Sequence, residues 1–182
     1  ATHTTPAELA GVQRAGASIV ICPATEANLG DGVFDFPGYA AVGGQWSLGT
    51  DSHVTRNWSE ELRLLEYSQR LTQCKRNVSA QLWGQESTAA TLFEGALQGG
   101  LAASGAALAG IAVGQRADFL TLDAQAPALL GVPADYLLDA YVFSSPASAA
   151  KQVFVAGRPV PAEPEVASQF AGVMQTLWQR GT

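Results

Sequence analysis

At 182 residues, 47% hydrophobic and only 14% charged, the chain can bury a substantial core and is too apolar to remain disordered. Its net charge of −6 and isoelectric point near 4.8 argue against nucleic acid and anionic membranes, both of which would repel it at long range. A small-molecule substrate is the expected partner, and no stretch approaches the ~18 consecutive apolar residues of a membrane helix.

Cys22 and Cys74 make no disulfide framework, and Cys22 sits in an apolar run where a reduced thiol behaves as a small hydrophobe. They are also a poor metal pair, since no Cys-x-x-Cys spacing exists. The N-terminal residues lack a basic start followed by an apolar block, so a cytoplasmic setting is expected. The opening Ala1-Thr2-His3-Thr4 has no initiator methionine and leads directly into a helix, which suggests a piece of a longer protein.

Thr5-Pro6-Ala7-Glu8 is a capping box with proline at the first helical position, and predicts a helix to about Ala15, ended by Gly16. Ala17 to Cys22 is β-branched and continuous, the pattern of a strand covered on both faces, and Pro23 closes it. Residues 24–32 crowd two acids, an amide and two glycines into a predicted loop. That composition suits a binding loop, but turn-making alone also uses Asn, Asp and Gly. A short helix is expected over 36–42, and Gly43-Gly44 leads to a buried strand, Trp46 to Leu48.

That strand stops at Gly49-Thr50-Asp51-Ser52-His53, and a helix opens near Ser59. A strand ending in a polar cluster and turning into a helix is the βα junction where barrel enzymes keep reactive groups. The helix runs to about Thr72, with Leu62, Leu65 and Tyr67 or Leu71 inward and Glu66 with Arg70 as an exposed pair. Residues 74–86 read as irregular, and a helix from Thr88 to Gln98 is expected to end at Gly99-Gly100.

From Leu101 to Gly110 the chain is almost wholly Ala, Leu and Gly. Ile111 to Asp123 reads as a turn into a strand, Pro133 to Tyr141 as a weak helix, and Lys151 to Val160 as a hairpin around Gly157-Arg158. A last helix, about Glu165 to Gln179, carries Val166, Phe170, Val173 and Leu177 on one side. The short strands are expected to need a partner sheet from outside.

The Gly49-to-His53 cluster, the Ile111-Ala112-Val113-Gly114 to Asp123 run and the Val153-to-Val160 hairpin, in this order, resemble the C-terminal part of the amidohydrolase superfamily. Within it, Thr25-Glu26-Ala27-Asn28-Leu29-Gly30-Asp31-Gly32, Asp51-Ser52-His53-Val54 and Glu61-Leu62-Arg63-Leu64-Leu65-Glu66-Tyr67 are similar to the formimidoylglutamate deiminase family, iminohydrolases of histidine degradation. The resemblance implies an α/β fold: strands 7 and 8 of a (β/α)₈ TIM barrel with their helices, plus part of a small β-sandwich. The corresponding division is 1–105 for barrel, 106–160 for sandwich strands with a connecting helix, and 161–182 for the final helix.

It further implies a zinc-dependent deamination of N-formimino-L-glutamate by a homodimer. Such enzymes hold zinc with a His-x-His pair after strand 1, a histidine after strand 5 and an aspartate after strand 8. Asp51 matches the aspartate; the other ligands and the general-acid glutamate would lie in an N-terminal part of the same protein. His3 matches the second histidine of a His-Ala-Thr-His stretch, for which a structural role is expected.

Asp51 is therefore the candidate metal ligand and catalytic acid–base; the alternative is an acid that caps a turn or the following helix. His53 either orients Asp51 or satisfies local backbone groups. Glu26, Asn28 and Asp31, on the seventh βα loop, either shape the substrate pocket or make turns. The arginine that substrate carboxylates want is expected elsewhere, Arg56 being a weak candidate. Trp46, Trp58, Trp83 and Trp178 are expected to be core or interface anchors. A non-catalytic module derived from the same superfamily is the competing possibility.

Overall fold

The computed structural model describes residues 1–105, 110–145, 149–161 and 164–180. Residues 106–109 of the Ala/Leu/Gly stretch, and with them the expected boundary after residue 105, lie outside the described residues.

The fold is mixed α/β and begins as expected. Helix α1 (Pro6–Arg14) starts at a complete capping box: the Glu8 amide donates to Thr5 Oγ1, and the Thr5 amide donates to Glu8 Oε2 at 2.7 Å. Strand β1 (Ser18–Ile21) pairs in parallel with β2 (Gln45–Leu48), Ile19 opposite Trp46 and Ile21 opposite Leu48. Helix α6 (Thr88–Ser104) lies across this pair. The core gathers Ile19, Ile21 and Trp46 with Phe36 and Tyr39 of α3 (Phe36–Ala41), Leu62 and Leu65 of α4 (Trp58–Gln73), and Leu92 of α6. Each such side chain contributes about 1.5–3 kcal/mol of burial.

Several sequence expectations are corrected. Strand β1 is covered on one face only: Ile19 and Ile21 are buried, whereas Val20 between them is 51% exposed. The expected loop after Pro23 is helix α2 (Pro23–Leu29), because Pro23 sits at its first position and carboxylates from Glu26 and Glu61 take up amides of its start. Gly30, left-handed at φ 73°, ends it, and residues 30–32 of the expected loop stay outside the helix. The irregular stretch holds α5 (Val78–Leu82), pinned by Glu66. Glu66 is accordingly fully buried rather than exposed, while Leu71 is 81% exposed and Tyr67 lies outside the core. Helix α6 runs straight through Gly99-Gly100.

Past Gly110 the chain adds β3 (Phe119–Leu122), a helical stretch including α7 (Leu137–Asp139), β4 (Ala150–Val155) and β5 (Arg158–Pro159). These strands do form a sheet by themselves, antiparallel in the order β3-β4-β5, with Phe119 stacked on Phe154 at 4.5 Å between centroids. The hairpin turn is Ala156-Gly157, both at positive φ, so Arg158 is already in β5. Asp118 Oδ1 accepts from the Ala156 amide at 2.7 Å, which gives the acid of the Ala117-Asp118-Phe119 run a structural task.

Tyr141 and Val142 join the main core, Tyr141 against Trp58, and Tyr67 meets Phe143. Helix α8 (Pro164–Arg180) keeps its expected stripe, but Val166, Phe170, Val173 and Leu177 are all exposed. Of the tryptophans Trp46 is a core anchor and Trp58 half-buried; Trp83 and Trp178 are exposed.

Candidate active site

Strand β2 ends at Leu48, and the chain turns at once through Thr50 to His53, whose amide donates to the Thr50 carbonyl at 3.0 Å. Gly49 is needed at the strand end: its amide donates to Ile21, and a Cβ there would sit 2.9 Å from Val20 Cγ1 and 3.1 Å from Cys22 Sγ. Asp51 and His53 both adopt left-handed backbone, φ 45° and 58°. For residues with a Cβ this conformation costs about 1–2 kcal/mol and persists only where surroundings impose it.

The imposing group is Thr25 of α2, buried beside the turn. Its Oγ1 donates to the Thr50 carbonyl at 3.0 Å, accepts from the Ser52 amide at 3.2 Å, and lies 3.0 Å from Ser52 Oγ. The Asp51 carboxylate itself is exposed and takes up no hydrogen bond from the described residues. Nor does it cap α4, since Asn57 Oδ1 fills that place by accepting from the Ser59 amide. The capping alternative for Asp51 is thereby removed at the helix.

The other candidates scatter around this turn. Glu26 lies on α2 with Oε1 on the Cys22 amide at 3.0 Å, a helix-start role. Asn28 is exposed at the far end of α2, and Asp31 follows its glycine cap. His53 and His3 are exposed, and Arg56 makes no ion pair among the described residues. A cavity of roughly 300 Å³ between α2 and α4 is lined by Glu26, Gly30, Phe34 and Leu65. A larger one, about 1140 Å³, opens by Gln45, Trp83 and Glu94 at the opposite end of β2 from Asp51. Size alone does not make that end the reactive one, because the polar cluster sits at the strand's C-terminal end.

Sequence reasoning did not single out Thr25 or Glu61. Glu61 is buried, with Oε2 accepting from the Ala24 amide at 2.9 Å and Oε1 unpartnered among the described residues. Burial pushes its carboxyl up, an effect opposed by the Ala24 amide and reinforced by Glu60 and Glu26. Burial also pushes the Cys22 thiol up, and the charges of Asp51, Glu26 and Glu61 add to this. The signal for Thr25 was its place in the Thr25-to-Gly32 run, and for Glu61 its place at the head of the Glu61-to-Tyr67 run. Among the described residues no three His, Cys, Asp or Glu side chains come together as a metal site.

The chain is 44% identical over 160 residues to the formimidoylglutamate deiminase of Pseudomonas aeruginosa, a match covering 87% of this chain and 35% of that protein. The crystal structure of an amidohydrolase from Brucella melitensis superposes with a TM-score of 0.78 at 41% identity, over 87% of this chain and 34% of that one. The chain belongs to the amidohydrolase superfamily.

An adenosine deaminase from Xanthomonas campestris with bound zinc shares the fold of this amidohydrolase chain at 22% identity, TM-score 0.72, over 96% of it and 40% of the other. The amidohydrolase chain thus spans about a third of the length of the relatives it matches. No family model matches it. Among its described residues no helix is long and apolar enough to cross a membrane.

Proposed function

We propose that these residues supply the aspartate of a metal-dependent iminohydrolase that converts N-formimino-L-glutamate and water to N-formyl-L-glutamate and ammonia. In this reading β1 and β2 are the seventh and eighth strands of a (β/α)₈ barrel, and β3 to β5 belong to a small sandwich. The observation that carries it is the 44% identity to formimidoylglutamate deiminase across 87% of the chain. An uncommitted carboxylate in an imposed backbone conformation at the end of β2 supports it.

An exposed carboxylate with no competing hydrogen bond suits zinc as an oxygen donor. Asp51 would hold the ion together with ligands from sequence outside these 182 residues. A bound zinc would lower the pKa of its water toward ~7 and polarise the formimino group. Asp51 takes the proton of the attacking water on a carboxylate oxygen and passes it to the departing nitrogen. The C–O bond forms at the formimino carbon as its C=N double bond opens, the new hydroxyl then gives its proton to the same nitrogen, and the C–N bond breaks to leave the formyl group and ammonia. His53 orients this turn, while Glu26, Asn28 and Asp31 border the pocket. The negative charge of Glu26 and Asp31 calls for an arginine outside the chain to receive the substrate carboxylates.

Asp51→Asn in the complete protein carrying these residues tests the reading by ammonia release. A loss of at least about 10³-fold in turnover with folding intact is expected, and near-wild-type turnover overturns it. Elemental analysis of protein prepared without chelators should find stoichiometric metal; none would favour the non-catalytic module. Ammonia release from other amidines or aminated rings in preference to N-formimino-L-glutamate would keep the site and replace the substrate.

A further inference from the structure

We propose that Thr25 is a positioning residue for Asp51, its one hydroxyl oxygen clamping the peptide groups on both sides of that residue; the inference rests on the role given to Asp51 above. A threonine hydroxyl has one proton and two lone pairs. The proton goes to the Thr50 carbonyl, 3.0 Å away, and one lone pair receives the Ser52 amide at 3.2 Å. The Ser52 hydroxyl, 3.0 Å away, is then the donor to the second lone pair. All of the oxygen's capacity is spent on the residues flanking Asp51, and none on its own helix.

The clamp holds a strained residue. At φ 45° Asp51 sits where an L-residue stays only if its neighbours are fixed. With Thr50 and Ser52 tied to one atom, the Cα–Cβ direction of Asp51 is set by the backbone, and the side chain carries no hydrogen bond from the described residues that would compete with its reaction. Residues that fix a reacting group from one step away typically matter by about 10–100-fold in activity.

Thr25 is in turn held by a braced helix start. The Ala24 amide donates to Glu61 Oε2 at 2.9 Å and the Cys22 amide to Glu26 Oε1 at 3.0 Å. Glu61 reaches across from α4, and its second oxygen is buried without a partner among the described residues. A carboxyl buried on such terms costs stability. Its placement is explained by what it positions.

The test compares Thr25→Val, Thr25→Ala, Thr25→Ser and Asp51→Asn in the complete protein, with N-formimino-L-glutamate as substrate and ammonia as readout. Thr25→Val and Thr25→Ala should lower kcat about 10–100-fold, with KM within about threefold of wild type. Thr25→Ser, which keeps the oxygen, should return kcat to within about threefold. Thr25→Ala adds no methyl to the turn and decides the matter should Thr25→Val not fold. Three results overturn the inference alone while Asp51→Asn is inactive: unchanged kcat in the Val and Ala variants, a rise confined to KM, or a Ser variant as poor as Val. Full activity of Asp51→Asn would instead remove the reading on which it rests.

Discussion

The carbonyl oxygen of Trp46 occupies the place that a side chain on Gly99 would take. Helix α6 therefore lies directly on the backbone of β2, the strand that delivers Asp51. Gly95 and Gly100 continue the same flat face: a Cβ on Gly95 would come within 2.9 Å of the Trp46 ring, and one on Gly100 within 2.9 Å of Ser47 Oγ. Ser47 Oγ also donates to the Ala96 carbonyl at 2.9 Å, fixing the helix along the strand. Because the obstacle is backbone, Gly99→Ala must push the helix off the sheet. We expect a loss above about 3 kcal/mol in urea denaturation. Gly172→Ala in α8, where nothing lies within 4 Å, is the control and should gain about 0.5–1 kcal/mol from helix propensity.

Glu66 gives a second prediction. Its carboxylate is fully buried and accepts from the Val78 amide at 2.9 Å, the Ser79 amide at 3.0 Å, the Ser79 hydroxyl and Arg70 Nε at 2.6 Å. It ties the start of α5 to α4. Glu66→Ala leaves two amides and a guanidinium without their acceptor and should cost about 3–5 kcal/mol in thermal or urea denaturation. Arg70→Ala removes one donor and the guanidinium near Tyr67 and Phe143, and should cost less than Glu66→Ala.

What the sequence revealed and what it hid divide by distance along the chain. The Thr5 capping box is local, and both of its hydrogen bonds are present. The strand end at Asp51 was equally legible, since apolar run, glycine and polar cluster are adjacent in sequence. Gly99-Gly100 read as a helix stop because a glycine's letter is the same whether it frees the backbone or admits a neighbour. Only the position of Trp46 decides between them. Glu66 likewise looked like a charge of a solvated helix face, and only the amide partners of Glu61 and Glu66, 37 and 12 residues away, explain the burial of both. The stripe on α8 was readable as a period, but nothing among the described residues covers it.

The two cysteines should differ in reactivity. Cys74 is exposed at the end of α4, whereas Cys22 is half-buried at the start of α2 with its thiol pushed up by burial and by the nearby acids. Since the thiolate is the nucleophile, iodoacetamide at neutral pH should alkylate Cys74 well before Cys22. Peptide mass spectrometry over a time course reads this directly. Equal rates at the two positions would mean that the β1–α2 junction opens far more readily than its hydrogen bonds suggest.

Glu61 makes stability depend on pH in a definite direction. Its carboxyl is raised in the folded protein, chiefly by burial, above its ordinary value of 4.5. The folded state therefore binds its proton more tightly than the unfolded state does, and the associated stability is fully present below about pH 4.5. It is lost as pH rises from there through the folded value. Glu61→Gln keeps an oxygen for the Ala24 amide but cannot ionise, so it should lack this decline. Melting temperatures of the two proteins, measured from acidic to neutral pH, should shift relative to each other in the glutamine variant's favour as pH increases, the wild type losing more. Parallel curves would show that Glu61 ionises on folding as freely as it does in the unfolded chain, and the buried, half-satisfied carboxyl would need another explanation.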